Sequence, residues 1–268
     1  MRAGGARGVR PADATLALWI VGALAGLAWT PYNPHLQTFR DQVLAGPSSA
    51  HWLGIDWLGR DILSRVWSAS GHTVILGAVA ALGSGVFAAL LLVVERRGPR
   101  ALGQGIRTLI SASLALPVFL VGLILLVFLP QSPWTVVLGC ALGGAPLAFR
   151  QLRVIWIEQT GALHVLASRA LGATRSHVAW FAIWPNIRPQ IASLARLLFA
   201  MGVLEFAGLS FLGLNGDPDF TELGTMLRQS KDLLLKQPML VVWPGLCLSG
   251  LLLVVHAGGG PPPVADNG

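Results

Sequence analysis

The sequence predicts an all-α polytopic membrane protein with six transmembrane helices and one cytoplasmic helix between spans 4 and 5. Three observations carry that prediction. The 268 residues are 54% hydrophobic and only 12% charged, with a mean hydropathy of +0.65, whereas a soluble chain carries about 25% charged residues. Six apolar segments, at 14–30, 73–94, 108–129, 130–149, 190–214 and 238–256, approach the roughly 20 residues needed to cross a hydrocarbon core of about 30 Å. Arginine and lysine are distributed unevenly between alternate connections, as membrane orientation requires. The net charge of +7 raises nucleic acid as a partner, but the basic residues are scattered among apolar runs and form no stripe on a soluble domain.

The first segment follows Arg2, Arg7 and Arg10 and contains "ALAG", which resembles a secretory signal with its cleavage site. The apolar run continues past that site to Trp29, so it reads as a span. With the amino terminus inside, the inner segments 1–13, 95–107 and 150–189 hold twelve basic residues against three acids, Asp13, Glu95 and Glu158. The outer segments 31–72 and 215–237 hold six basic residues and seven acids. That bias puts the amino terminus in the cytoplasm. The chain divides into a cytoplasmic segment 1–13, a transmembrane domain 14–256 and a disordered tail 257–268, "GGGPPPVADNG" being its low-complexity end.

The first outer loop contains "HWLGIDWLGRDILSRVW" at 51–67. Trp52, Trp57 and Trp67 suit a membrane interface, and Asp61 with Arg65 form an i,i+4 pair if 60–67 is helical. His51, Asp56 and Asp61 are possible metal ligands, but nothing nearby completes a site, so they read as structural. The second outer loop contains "DFTELGTMLRQSKDLLLKQP" at 219–238. Asp219 and Glu222 fit a capping box. The helical period of Leu223, Met226, Leu227, Ser230, Leu233 and Leu234 leaves Glu222, Arg228, Lys231 and Asp232 on the wet side.

The inner stretch "VLASRALGATRSHVAWFAIWPN" at 165–186 mixes small residues with Arg169, Arg175 and His177. A short helix over about 162–171 is expected, stopped by Gly172, which accepts a left-handed conformation. Pro185 and Pro189 then open the next span. Bare backbone and positive charge suit a knob that enters an acidic groove of a partner protein. A helix lying among anionic headgroups is the rival reading, although Leu163, Leu166 and Leu171 supply only a narrow apolar face.

Cys140 and Cys247 lie in apolar runs, where free cysteine acts as a small hydrophobe. No G-x-x-x-x-G-K-[ST], G-x-S-x-G or H-E-x-x-H pattern occurs, so the chain carries no nucleotide loop or hydrolase signature of its own. Glu205 is the plainest ionisable residue inside a span. It is either a proton site, which would make the chain a proton-coupled secondary transporter, or the partner in a helix-packing hydrogen bond to a neighbouring subunit. No residues of a substrate path and no metal or catalytic residues are legible.

"LASRALGATRSHVAWFAIWPN" resembles the cytoplasmic Glu-Ala-Ala loop of bacterial ATP-binding-cassette importer permeases. Leu166, Ala167 and Ser168 fill its first three places, Gly172 the glycine, and Trp184 with Pro185 its end. Leu166 stands where the family has Glu, and Trp184 where it has Leu. "PYNP" at 31–34, "HWLGIDWLGRDILSR" at 51–65, "LSFLGL" at 209–214 and "ELGTMLRQSKDLLLKQP" followed by "WPGL" are similar to the dipeptide/oligopeptide/nickel subfamily, in its C-type subunit. The end of the chain departs from the family's usual tail. The resemblance implies a multi-pass permease of the bacterial cytoplasmic (inner) membrane, transporting peptides or nickel/metal-chelate complexes. It implies a second permease subunit, two ATPase subunits that bind ATP and magnesium, and an extracytoplasmic solute-binding protein. It also implies that Leu166, Ala167, Ser168, Arg169, Gly172, Ala173, Thr174 and Pro185 couple the chain to those ATPases.

Overall fold

The computed structural model describes residues 11–258, with the side chains of residues 11 and 12 left aside. The expectations for residues 1–10 and for 259–268 of the tail lie outside the described residues. Among the described residues the chain is helical: α1 Pro11–Ala28, α2 Ile62–Arg97, α3 Arg100–Ser113, α4 Val118–Phe128, α5 Pro133–Thr160, α6 Leu163–Ala170, α7 Arg175–His177, α8 Trp184–Phe211, α9 Leu223–Ser230 and α10 Met239–Ala257. A π-type turn, Val178–Ile183, joins α7 to α8.

Four helical stretches are long and apolar enough to cross a membrane: α2, α5, the run Arg175–Phe211 and α10. A fifth span results if α3 and α4 are taken together, although they are bent by 99°. Asp13–Ala28 is a shorter apolar helix. The expected third span, 108–129, is therefore not one continuous helix. Pro117 lies at ψ 129° just before α4. Proline carries no N–H for the helical ladder and drives the preceding residue out of the α region.

The chain divides into two compact units. Of the described residues, the first holds 11–75, 210–213 and 217–258. Its apolar centre is Ile62, Val66 and Ala69 of α2, Leu223 and Met226 of α9, and Leu240 of α10, flanked by Leu53, Trp243 and Leu248. Around it runs a buried polar network. Asp56 accepts from Arg60 Nε at 2.8 Å, Arg65 Nη1 at 2.7 Å and the Leu58 N–H at 2.8 Å. Asp61 accepts from Ser64 Oγ at 2.7 Å and bonds His51 Nδ1 at 2.9 Å. The expected Asp61–Arg65 pair is absent, because α2 starts at Ile62 and Asp61 turns back to cap it through the Ser64 N–H at 2.8 Å.

The 219–238 loop also differs from expectation. Its helix is limited to Leu223–Ser230. Glu222, expected on the wet side, is fully buried and is itself the N-cap, accepting from the Thr225 N–H at 3.0 Å and from Thr73 Oγ1 at 3.1 Å. Burial pushes this carboxyl above the usual glutamate range, against the pull of those donors. Asp219 makes no capping box, its own N–H bonding Asp217 at 2.9 Å.

The second unit holds residues 76–209 and 214–216. Its helices approach closely through small residues, as helices do where lipid supplies no hydrophobic drive. A Cβ on Gly139 of α5 would lie 2.7 Å from the Gly122 Cα of α4. Ser84 Oγ of α2 donates to the Ala141 carbonyl of α5 at 3.0 Å. Ala88, Ile110, Ala148, Phe149, Leu194 and Leu198 fill the space between α2, α3, α5 and α8. At the end of α2, Glu95 accepts from Arg107 of α3 at 2.9 Å and from Arg153 of α5 at 3.0 Å, tying three helices to one buried carboxylate.

Candidate functional site

The site expected on 166–185 lies within the second unit and consists of a short helix, its cap and the entry to α8. Helix α6 follows α5 after Gly161 and Ala162. Val165 faces inward and is fully buried, while Leu163 is 84% exposed and Leu171 88% exposed. Leu166, Ala167 and Arg169 are exposed and Ser168 is half-buried. Ser168 Oγ donates to the His164 carbonyl one turn back, at 2.8 Å.

The helix ends in a Schellman motif. The Ala173 N–H donates to the Ser168 carbonyl at 3.1 Å and the Gly172 N–H to the Arg169 carbonyl at 3.0 Å. Gly172 sits at φ +83°, where a Cβ costs about 1–2 kcal/mol. No atom lies within 4 Å of where that Cβ would be. The glycine is thus required by backbone shape, and the space beside it opens away from the chain. Thr174 caps the turn that follows, its Oγ1 accepting from the His177 N–H at 3.3 Å.

The base of α6 is fastened to the entry of α8. The Ala182 carbonyl accepts from Asn186 Nδ2 at 2.7 Å and, in the Nε2-protonated tautomer, from His164 at 3.1 Å. The wide Val178–Ile183 turn precedes Pro185, which lacks the N–H an α-helical ladder would need there. Val178 is buried beneath it. Pro185, the last expected site residue, is exposed at the start of α8.

Arg169, Arg175 and Arg188 are exposed, and among the described residues none forms an ion pair. His177 stacks on Phe181 at 4.8 Å. The outcome is a projection with free positive charge, two nearly uncovered leucines and open space beside Gly172. The structure brings Leu166, Ala167, Ser168, Arg169, Gly172, Ala173 and Thr174 onto this projection and leaves Pro185 at its root. His164 and Asn186, which hold the root, were not legible in the sequence. They are 22 residues apart, a spacing that no helical period marks.

Glu205 lies on α8, away from this projection in sequence, and Arg196 is nine residues from it, about 13 Å along a helix. Among the described residues Glu205 makes no hydrogen bond or ion pair. His51, Asp56 and Asp61 are taken up by the buried network, and no group of three or more His, Cys, Asp or Glu suited to a metal occurs among the described residues.

Residues 74–257 match the family described as binding-protein-dependent transport system inner membrane component. The chain is 30% identical over 232 residues to the di/tripeptide transport system permease protein DppC of Pseudomonas aeruginosa (strain UCBPP-PA14), covering 84% of this chain and 76% of that one. It is 30% identical over 242 residues to the nickel transport system permease protein NikC of Escherichia coli (strain K12), covering 90% and 86%. It is 26% identical over 226 residues to the glutathione transport system permease protein GsiD of Pectobacterium atrosepticum, covering 81% and 72%. These relatives are permeases and not enzymes, the ATP hydrolysis of such systems residing in partner subunits, and nothing among them favours the proton-coupled alternative. A chain of apolar helices, without a nucleotide loop and matched over most of its length by such permeases, belongs to the binding-protein-dependent transport system inner membrane components, as an ATP-binding-cassette importer permease of the dipeptide/nickel type.

Proposed function

We propose that α6 is the coupling helix of this permease, seated in a cleft of an ATPase subunit and carrying its motion to the spans. One observation carries the reading: α6 and its Gly172 cap are exposed, with free arginines and open space where a Gly172 Cβ would lie. In this arrangement Leu166, Ala167, Ser168, Arg169, Gly172, Ala173 and Thr174 meet the ATPase, and Pro185 sets the entry of α8. The lipid-surface reading is less well supported, because the apolar face of Leu163, Leu166 and Leu171 belongs to a helix of only 8 residues and its C-cap.

The permease domain extends over 14–256 and has six spans: α1, α2, the bent pair α3–α4, α5, α8 and α10. Its amino terminus and α6 face the cytoplasm, following the arginine distribution. A second permease subunit, two ATPase subunits holding ATP and magnesium, and an extracytoplasmic solute-binding protein complete the assembly. This chain binds no cofactor itself. The transported class is peptides or nickel/metal-chelate complexes, in keeping with the relatives' substrates.

The test is co-purification and ATP-driven uptake. Gly172→Arg fills the open space, so the assembled complex is expected to lose its ATPase subunits and uptake to fall at least about tenfold at normal expression. Uptake equal to wild type with Gly172→Arg, or cross-links from α6 that reach lipid and never an ATPase, overturns the reading.

A further inference from the structure

Glu205 stands in the run "LLFAMGVLEFAGL", residues 197–209, as its sole polar side chain. It lies six residues before the end of α8 at Phe211, about 9 Å of helix from that end. Val203 and Phe206 beside it are fully buried, Leu204 is exposed, and Glu205 is half-buried. Its oxygens are not among the sealed, unpartnered atoms of the chain, so the carboxylate reaches the chain's surface. No described residue bonds it. The Cys140 thiol of α5 is within electrostatic range, but a neutral thiol balances no charge.

An acidic group in an apolar span without a counter-charge is costly and is kept where a cation or a water-filled cavity meets it. Among the described residues none supplies a cation at Glu205. We propose that Glu205 is a cation-recognition point on the translocation path, receiving the ammonium group of a peptide or the metal of a chelate as it passes. The inference rests on the permease reading above, which supplies the path and the substrate class. A peptide's ammonium group and a metal ion differ in shape and size, but each presents local positive charge to a carboxylate.

The experiment reads charge selectivity in the assembled complex without requiring the substrate. Met201, half-buried one turn before Glu205, is replaced in a chain carrying Cys140→Ala and Cys247→Ala. The rates of reaction of the Met201→Cys variant with trimethylammonioethyl and sulfonatoethyl methanethiosulfonates are compared, each normalised to a small free thiol. The cationic reagent is expected to react about fivefold faster or more, and Glu205→Gln to bring the ratio close to one, with Glu205→Asp retaining it. A ratio unchanged by Glu205→Gln overturns the assignment. So does failure of both reagents to reach Met201→Cys and Glu205→Cys, or loss of the second permease subunit with Glu205→Gln, which would make the carboxylate a bond between subunits. A wild-type chain that never binds an ATPase defeats the permease reading and this proposal together. A complex that forms but is blind to charge at position 205 defeats only the proposal.

Discussion

Arg60 and Arg65 close on the same oxygen of Asp56, at 2.8 and 2.7 Å, with all three side chains almost fully buried. One carboxylate thus balances two guanidinium groups, helped by Asp219 3.6 Å from Arg60 and by the Gln229 amide oxygen 2.9 Å from Arg65. The 56–65 loop and α9 are held together by this centre and not by apolar contact alone.

Asp56→Ala leaves two buried cations facing each other. Breaking a buried pair from one side costs about 3–5 kcal/mol, so the purified protein should melt well below wild type. Thermal unfolding in detergent is the measurement, and Asp219→Ala, whose side chain is 72% exposed, should change it far less.

Gly172→Ala and Gly172→Arg separate backbone strain from bulk. Both incur the left-handed penalty of about 1–2 kcal/mol, and neither meets an atom within 4 Å of its Cβ. The isolated chain should therefore melt alike in the two variants, while binding to the ATPase subunits falls much further for Gly172→Arg. Equal binding losses would mean that strain alone is at work.

Glu222 gives a pH dependence of known sign. Its carboxyl is held above the ordinary glutamate value by burial, so the folded state favours the proton more than the unfolded state does. Its contribution to stability is present below the ordinary value and is lost as the pH rises from there to the raised value. Glu222→Gln removes that dependence. Relative to wild type it should melt higher at neutral pH than in acid, as seen by comparing the two melting curves at both conditions.

Gly139→Val drives a side chain into the backbone of α4, since even the first carbon would sit 2.7 Å from the Gly122 Cα. Overpacking of this kind costs about 1–3 kcal/mol. Increased protease cleavage between Phe128 and Pro133, the connection between α4 and α5, would report it, with Gly105→Val, which meets open space, as the control.

The apolar lengths alone located every stretch that became a long helix, because exclusion of charge is a local property of the chain. The short α6 and its stop were legible for the same reason: Gly172 and the two prolines act on their own backbone. What escaped depended on distant partners. Glu222 resembled any solvent-facing acid until Thr73, far away in sequence, proved to be its donor. Arg65 had a plausible mate at Asp61 and took Asp56, because Asp61 was committed to Ser64 and His51. Pro117 carried the signal for the break between α3 and α4, but the continuous hydrophobicity around it masked the bend.

Glu95 has a mechanical consequence. Arg153, one of its two guanidinium ligands, stands on α5 seven residues before that helix ends at Thr160, about 10 Å from the root of α6. With α6 in the coupling role proposed above, a tug on it would be delivered to a tripod whose three legs share one hinge pin. Because Glu95 joins α2, α3 and α5, such a stroke would turn the three legs together in place of flexing one rod.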